Sequence, residues 1–496
     1  MLATDQHTVK THGARRWRSA SALVCLATLL LGGNFLEPGN LQAAEASSRP
    51  NVLLVLADDM GYGDPGCYNP QSKIPTPAID RLARGGLRFT DAHSPGSVCV
   101  PTRYGLLTGR YPHRTSLDWG RKAVIEEGRV TLASLLGQAG YQTGCVGKWH
   151  LGFAGGPKYD YTQPLVGGPV DRGFGSFFGL PHSLDIVPYY YIRGNRAVQP
   201  PAGRIEASNS PDWSPIQGKF WRAGPIAPGF RHEDVLPRLA DESLKWIDQY
   251  AGSDRQQPFF LYVALTSPHT PWLPSEEFHG RSQAGLYGDF AAQTDAVLGR
   301  LLDSLDKHDL AGNTLLIFTS DKGHVWYDED EEKYGHRSAG PLRGMKGDAW
   351  EGGHRMPFIV RWPGQVPAGG TSDALIGQTD IMATVAAIVG QEVPPGAGED
   401  SVNCWAVWQG KQQDSPRESL IVQSSSRVLT LRQGPWKLIP QLGSCGFTKP
   451  RNVKPAEGDP AGQLYNLDDD IAEANNLWDA KPEVVKRLMA LLEAQK

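Results

Sequence analysis

From about Pro50 onward, short unbroken apolar runs alternate with stretches whose apolar residues recur at helical spacing. Residues 51–57 (NVLLVLA) are apolar at every position after the first, the pattern of a strand covered on both faces. Residues 131–139 place Leu132, Leu135, Leu136 and Ala139 on one face and stop at Gly140, which predicts a helix with a glycine terminator. Residues 141–146 then resume as strand. Helical spacing over 239–250 leads into the strand-like run 259–264. A second helix, carrying Val297, Leu298, Leu301, Leu302 and Leu305, leads into 314–319 (TLLIFT), and 357–362 adds a further short run. This alternation predicts an α/β fold: a mainly parallel sheet with helices on both faces.

The rhythm breaks over 154–231, which apart from 174–180 is rich in Gly, Pro and aromatic residues. Long surface loops are expected there, a usual place for substrate contacts. Trp213, Trp221 and the tyrosines 189–191 suit stacking on sugar rings, or equally the packing of the loops themselves. The character changes again at Val393-Pro394-Pro395-Gly396. Beyond it, 428–432 and 436–439 flank Gln433-Gly434-Pro435 as an antiparallel hairpin, and 484–492 forms a closing amphipathic helix. The expected division is a catalytic domain over 50–392 and a smaller C-terminal α+β subdomain with an antiparallel sheet over 393–496.

At the start, Arg15, Arg16 and Arg18 precede an apolar run over 20–31 and the small-residue stretch Ala43-Ala44-Glu45-Ala46. This reads as a signal peptide over 1–46, with an N-terminal anchor as the alternative. The run is short for a bilayer span, so a secreted or periplasmic protein without stable membrane insertion is expected. A net charge of -4 gives no basic field for nucleic acid, and any anion must be bound at a local site. Of the six cysteines, Cys25 leaves with the signal. Cys67, Cys145, Cys404 and Cys445 could form two bridges, with Cys404–Cys445 the favoured pair, though Cys145 in its apolar strand reads as well as a buried thiol.

Several of these strands end in reactive side chains. The first ends in Asp58-Asp59, 141–146 is followed by Lys148 and His150, 259–264 by His269, and 314–319 ends just before Asp321. In open α/β sheets ligands bind beyond the carboxyl ends of the strands, so these groups would converge on one edge. Taken singly, each would read as a surface charge or turn residue. The sharpest signal is Cys99-Val100-Pro101-Thr102-Arg103, followed by Leu107-Thr108-Gly109-Arg110. Pro101 suits a first helical turn, which sets Cys99 just ahead of a helix N-terminus, and Arg103 adds a forked cation for an anion's oxygens.

The C-x-P-T-R motif with its trailing L-T-G-R resembles the signature of type I sulfatases of the alkaline-phosphatase superfamily, in particular the arylsulfatases and N-acetylgalactosamine-6-sulfatases. Thr102 replaces the usual Ser. The resemblance continues through 57–64 (ADDMGYGD), 147–152 (GKWHLG), Ser267-Pro268-His269, 344–347 (GMKG) and 463–467 (QLYNL). It implies an alkaline-phosphatase-like fold and hydrolysis of a sulfated carbohydrate or aryl sulfate. It also implies a formylglycine made from Cys99 by a sulfatase-maturing enzyme, and a Ca²⁺ held by Asp58, Asp59, Asp321 and an oxygen of modified Cys99. In that scheme one hydroxyl of the hydrated aldehyde attacks sulfur with Asp321 as base, and His269 protonates the leaving alcohol. Lys148 and Lys346 hold sulfate oxygens, Ser183 contacts the substrate, and His150 takes the proton that releases sulfate.

One position departs from the pattern. After Asp321 the family usually carries Asn, often His or Gln, and this chain has Lys322, whose ammonium has no acceptor and cannot ligate a cation. Either Lys322 turns away, or its charge replaces part of the metal's. Two other readings stay open: a phosphodiester or phosphonate hydrolase of the same superfamily, and a weakly catalytic binder of sulfated glycans. His336 and His354 flank the Lys346 motif as candidates for the substrate mouth, or as solvated loop residues.

Overall fold

The apolar runs become the centre of one ten-stranded sheet in the computed structural model, which describes residues 49–496 apart from 157–158 and 210–219. In chain order its strands are β1 (Asn51–Asp58), β2 (Leu87–Phe89), β3 (Gln142–Lys148), β4 (Ser176–Leu180), β5 (Ile192–Arg193), β6 (Arg196–Ala197), β7 (Phe259–Pro268), β8 (Thr314–Ser320), β9 (Phe358–Arg361) and β10 (Gly370–Ser372). Across the sheet they run β10-β2-β9-β8-β1-β7-β3-β4-β5-β6. The five central strands, β8 to β4, are parallel. Antiparallel pairing enters at both sides, through β9 and β5. The predicted mainly parallel sheet is therefore present, and the run at 357–362 supplies its antiparallel neighbour.

β1, β7 and β8 are buried at every position, which is why their sequences show no alternation. Two groups of helices cover the sheet. One comprises α1 (Pro77–Arg84), α4 (Val235–Ala251) and α5 (Gly285–Lys307); the other contains α2 (Cys99–Thr108), α3 (Leu132–Gln138) and Ile381–Ile388. α3 starts at a reciprocal cap, Thr131 Oγ1 accepting from Ser134 N at 3.0 Å and Ser134 Oγ accepting from Thr131 N at 2.9 Å.

A separate four-stranded antiparallel sheet follows, made of Leu420–Gln423, Leu429–Gln433, Trp436–Ile439 and Gln463–Asn466. Its middle pair is the predicted hairpin. The closing helix Pro482–Ala494 buries Leu488 and Leu492 against Leu431, Leu438 and Leu464.

Two expectations need correction. Cys404 and Cys445 do not pair, and all five described cysteines are free. The Cys404 thiol packs in the large core and donates to Val402 O, whereas Cys445 belongs to a small cluster with Ile439 and Tyr465. The tyrosines 189–191 are buried and pack the loops; they offer no face to a sugar. Trp221, half-buried, stacks on His232 at 4.4 Å, while Trp213 and the proposed signal lie outside the described residues. No described helix is long and apolar enough to cross a membrane.

Candidate active site

Four adjacent parallel strands deliver the candidate residues to one edge. β1 ends in Asp58 at a register shift against β7, and Asp59 follows with a left-handed φ of 67°. Bulges and left-handed non-glycine residues carry strain that a surrounding structure must hold in place. His150, two residues past β3, is likewise left-handed at φ 57°. β3 ends in Lys148, β7 in Pro268 just before His269, and β8 in Ser320 before Asp321 and Lys322. Gly147 permits the closeness of β3 and β7: a Cβ there would lie 1.8 Å from Ala264 O.

α2 begins at Cys99 itself, so the cysteine is the first helical residue and not the one before. Thr102 does the work expected of Ser, its Oγ1 donating to Gly96 O at 2.7 Å and tying the helix to its entry loop. Lys148 Nζ bridges Cys99 to β1, 3.3 Å from Cys99 Sγ and 2.5 Å from Asp58 Oδ2. Lys346 Nζ lies 2.8 Å from Asp59 Oδ2 and donates to His269 Nε2 at 2.9 Å, while His269 Nδ1 donates to Thr270 O at 2.6 Å. Arg103, expected to face an anion, instead lies fully buried, donating to Lys148 O at 2.8 Å and to Asp321 Oδ2 at 3.2 Å. It positions the groups that line the site.

Lys322 sits in the middle. Its Nζ donates to Asp58 Oδ1 and Asp321 Oδ1 at 2.7 Å each, and lies 2.6 Å from Asp59 Oδ1 as an ion pair. The oxygens of Asp58, Asp59 and Asp321 that lie within 4.8 Å of one another thus already enclose a cation. A hard dication of the kind the family resemblance implies takes six to eight oxygens at about 2.3–2.6 Å. It does not fit this donor set alongside an ammonium that holds the same lone pairs.

The field of these groups sets their protonation. Burial would raise the Cys99 thiol, but Lys148 and Lys322 outweigh it and bring it down to about 5, so an anionic atom is favoured where Sγ lies. Burial would likewise raise Asp58, and Lys148 and Lys322 hold it well below the carboxylate range. Asp321 goes the other way, pushed up to about 7 by burial and by the neighbouring Asp58 charge. Of this carboxylate pair, Asp321 is the one placed to take a proton. Burial and Lys346 press His269 down, yet Asp59 and Asp58 bring it above its ordinary value. His150 is held neutral by burial and by Lys148.

Ser183 Oγ and His150 Nδ1 are buried polar atoms with no protein partner, as expected of groups awaiting a ligand. His336 and His354 neither line the mouth nor meet solvent. His336 is buried 2.9 Å from Asp64 Oδ1, and His354 joins a second charge network described below. Two supports were not singled out from sequence. Asp64 accepts from Gly61 N, Ser338 and Tyr287, holding the turn after β1. Asp64 stands in a recognisable motif, whereas Tyr287 looks like any helical aromatic.

Comparison with known proteins decides the family. The sulfatase family model matches residues 50–391. The chain is 34% identical over 488 residues to the N-acetylgalactosamine-6-O-sulfatase of Bacteroides thetaiotaomicron, covering 91% of this chain and 94% of that protein. The chain belongs to the sulfatase family. This sulfatase, a sulfuric ester hydrolase, is also 34% identical to human arylsulfatase A over 489 residues, covering 92% of this chain and 90% of that one. A solved structure from Bacteroides thetaiotaomicron, reported with its metabolism of multiple glycosaminoglycans, superposes with TM-score 0.79 at 33% identity, covering 90% of this chain and 99% of the other. At position 322 the sulfatase described here carries an ammonium, fully buried among the three carboxylates.

Proposed function

We propose that this sulfatase removes sulfate monoesters from sugars outside the cytoplasm, using a formylglycine made from Cys99 by a maturing enzyme. The observation that carries the reading is the contact of Lys148 Nζ with both Cys99 Sγ and Asp58 at the N-terminus of α2. The Sγ position stands in for the oxygens of the modified side chain, and a place that lowers a thiol to about 5 also favours an oxygen nucleophile. When present, the hydrated aldehyde supplies one hydroxyl to accept the sulfuryl group and a second whose deprotonation lets sulfate go.

The chain's own residues do the rest. Asp321, raised to about 7, takes the proton of the attacking hydroxyl. Lys148 and Lys346 hold sulfate oxygens and offset the charge that develops on them. His269 Nδ1 is tied to Thr270 O, so Nε2 is the atom that gives a proton to the leaving alcohol. In the free enzyme Lys346 donates to that atom. A sulfate oxygen accepting from Lys346 draws the ammonium off Nε2 and frees it to carry a proton. His150 Nδ1, without a protein partner, is placed to take the proton of the second hydroxyl.

A sugar substrate is supported by the N-acetylgalactosamine-6-O-sulfatase relative and by a cleft of about 890 Å³. The cleft is lined by His324, Trp326, Tyr327, Arg337, Met345 and Arg451, Met345 being the chain neighbour of Lys346. The test is turnover of the matured protein on sulfate and phosphate esters of one leaving group, with a set of sulfated monosaccharides. Preference for phosphate, or an unmodified thiol in the Cys99 peptide of active enzyme, would refute the proposal.

A further inference from the structure

We infer that Lys322 is the resident cation of this site, its ammonium standing where a divalent ion would otherwise bind, so that the enzyme works without a metal. The inference rests on the sulfate-ester reading and concerns what holds its carboxylates together.

The case is the pairing of six oxygens. Each of the three carboxylates turns one oxygen to Lys322 and the other to an outer cation, Asp58 Oδ2 also lying 3.6 Å from Arg103. Asp58 gives Oδ1 to Lys322 and Oδ2 to Lys148, at 2.7 and 2.5 Å. Asp59 gives Oδ1 to Lys322 and Oδ2 to Lys346, at 2.6 and 2.8 Å. Asp321 gives Oδ1 to Lys322 and Oδ2 to Arg103, at 2.7 and 3.2 Å. Every one of these carboxylate oxygens already faces a cation: Lys322 donates hydrogen bonds to Asp58 Oδ1 and Asp321 Oδ1 and holds Asp59 Oδ1 by charge alone. A dication would have to expel Lys322, whose side chain is fully buried and whose carbonyl is pinned by Ser320 Oγ at 2.9 Å. An ammonium driven from this position would be a buried charge without a partner.

Charge points the same way. Four cations, Arg103, Lys148, Lys322 and Lys346, face three carboxylates, which leaves one unit of positive charge for the single negative charge of a sulfate monoester.

The experiment uses the matured full chain. Wild type, dialysed against metal-free buffer, is assayed for calcium by inductively coupled plasma mass spectrometry, for thermal midpoint with and without added CaCl₂, and for turnover with EDTA. Substoichiometric calcium, a midpoint that CaCl₂ does not raise and an EDTA-insensitive rate are expected. One equivalent of calcium per chain, or a midpoint that falls when EDTA strips it, overturns the inference. Lys322→Asn restores an acceptor and opens the carboxylates; it should bind one equivalent of Ca²⁺ and gain a midpoint that rises with CaCl₂. A folded Lys322→Asn that binds none also counts against the ammonium holding the metal's place. Should that variant not fold, the wild-type calcium content and midpoint still decide. If the wild type cleaves no sulfate ester, the functional reading fails, while the calcium and midpoint readouts still judge the cation.

Discussion

Two of the buried charge networks among the described residues differ in a way that separates the candidate site from a structural cluster. One surrounds Lys322. The other joins the two sheets: Glu351, beyond the Lys346 loop, meets Arg432 at 2.8 Å and Lys437 at 3.0 Å from the small sheet, and Asp91 meets Arg432 and Arg355 at 3.0 and 3.2 Å. In this second network the imidazoles complete a chain whose tautomers follow from its ends. Lys437 Nζ donates to His354 Nε2 at 3.1 Å, His354 Nδ1 donates to His93 Nδ1 at 3.0 Å, and His93 Nε2 donates to Asp91 at 2.8 Å. No carboxylate of it touches a nucleophile. Around Lys322, by contrast, the ammonium groups of Lys148 and Lys346 reach past their carboxylates to Cys99 and His269. Both networks are buried; only one reaches the cysteine proposed as nucleophile.

If that distinction is right, changes in the first network remove turnover and spare the fold, and changes in the second do the reverse. The largest effect is expected from Cys99→Ala: turnover falls to background with the denaturation midpoint little changed, since only a small group leaves the pocket. Measurable burst kinetics in that variant would break the assignment. His269→Asn should lower kcat by about 10²–10⁴ with a poor leaving alcohol and by much less with a good one. A loss independent of the leaving group would show that His269 is not the proton donor.

Glu351→Gln leaves Arg432 and Lys437 short of a counter-charge in the interior and should cost about 3–5 kcal/mol in urea unfolding, with kcat of the folded fraction retained. Lost turnover with unchanged stability would erase the contrast between the networks. A smaller effect is expected from pH. Burial, then the neighbouring Lys437 charge, holds His354 well below its ordinary 6.5. The unfolded chain therefore binds the extra proton first, and this contribution to stability is present above 6.5 and fades as pH falls below it. Glu473, raised to about 7 by burial, acts in the opposite sense, so the informative quantity is the difference between wild type and His354→Gln. The variant should show a flatter loss of stability from pH 6.5 downward; an unchanged slope would place the imidazole outside the linkage. Thr131→Ala, away from both networks, should cost about 1 kcal/mol through its lost helix cap and leave both the rate and the pH slope alone.

Much of this was legible in the chain because the central strands are buried on both faces and so read as unbroken apolar runs. The site residues were legible because those strands end in carboxylates, lysines and a histidine, and the sheet brings their ends together. What one dimension hid were directions. Arg103 belongs to the right motif, but only the helix placement turns its guanidinium toward Asp321 and away from the open pocket. The tyrosines 189–191 have the composition of a sugar platform and the burial of a core. Cys404 and Cys445 share a plausible count and lie in different clusters. Lys322 was visible as an exception, yet its place among three carboxylates depends on where β1 and β8 end.

The entry loop of α2 has a consequence for timing. Gly96 pairs with Gln423 as an isolated bridge, and Ser97 N donates to the carbonyl of that same residue, 326 positions later. At translation rates of about 5–20 residues per second, that partner emerges on the order of tens of seconds after the cysteine it helps to enclose. Cys99 ends up buried, so the proposed conversion to formylglycine would be confined to the time before the last strands arrive. On that proposal the late strap is a clock: it leaves an interval with an open thiol, then closes over the modified side chain.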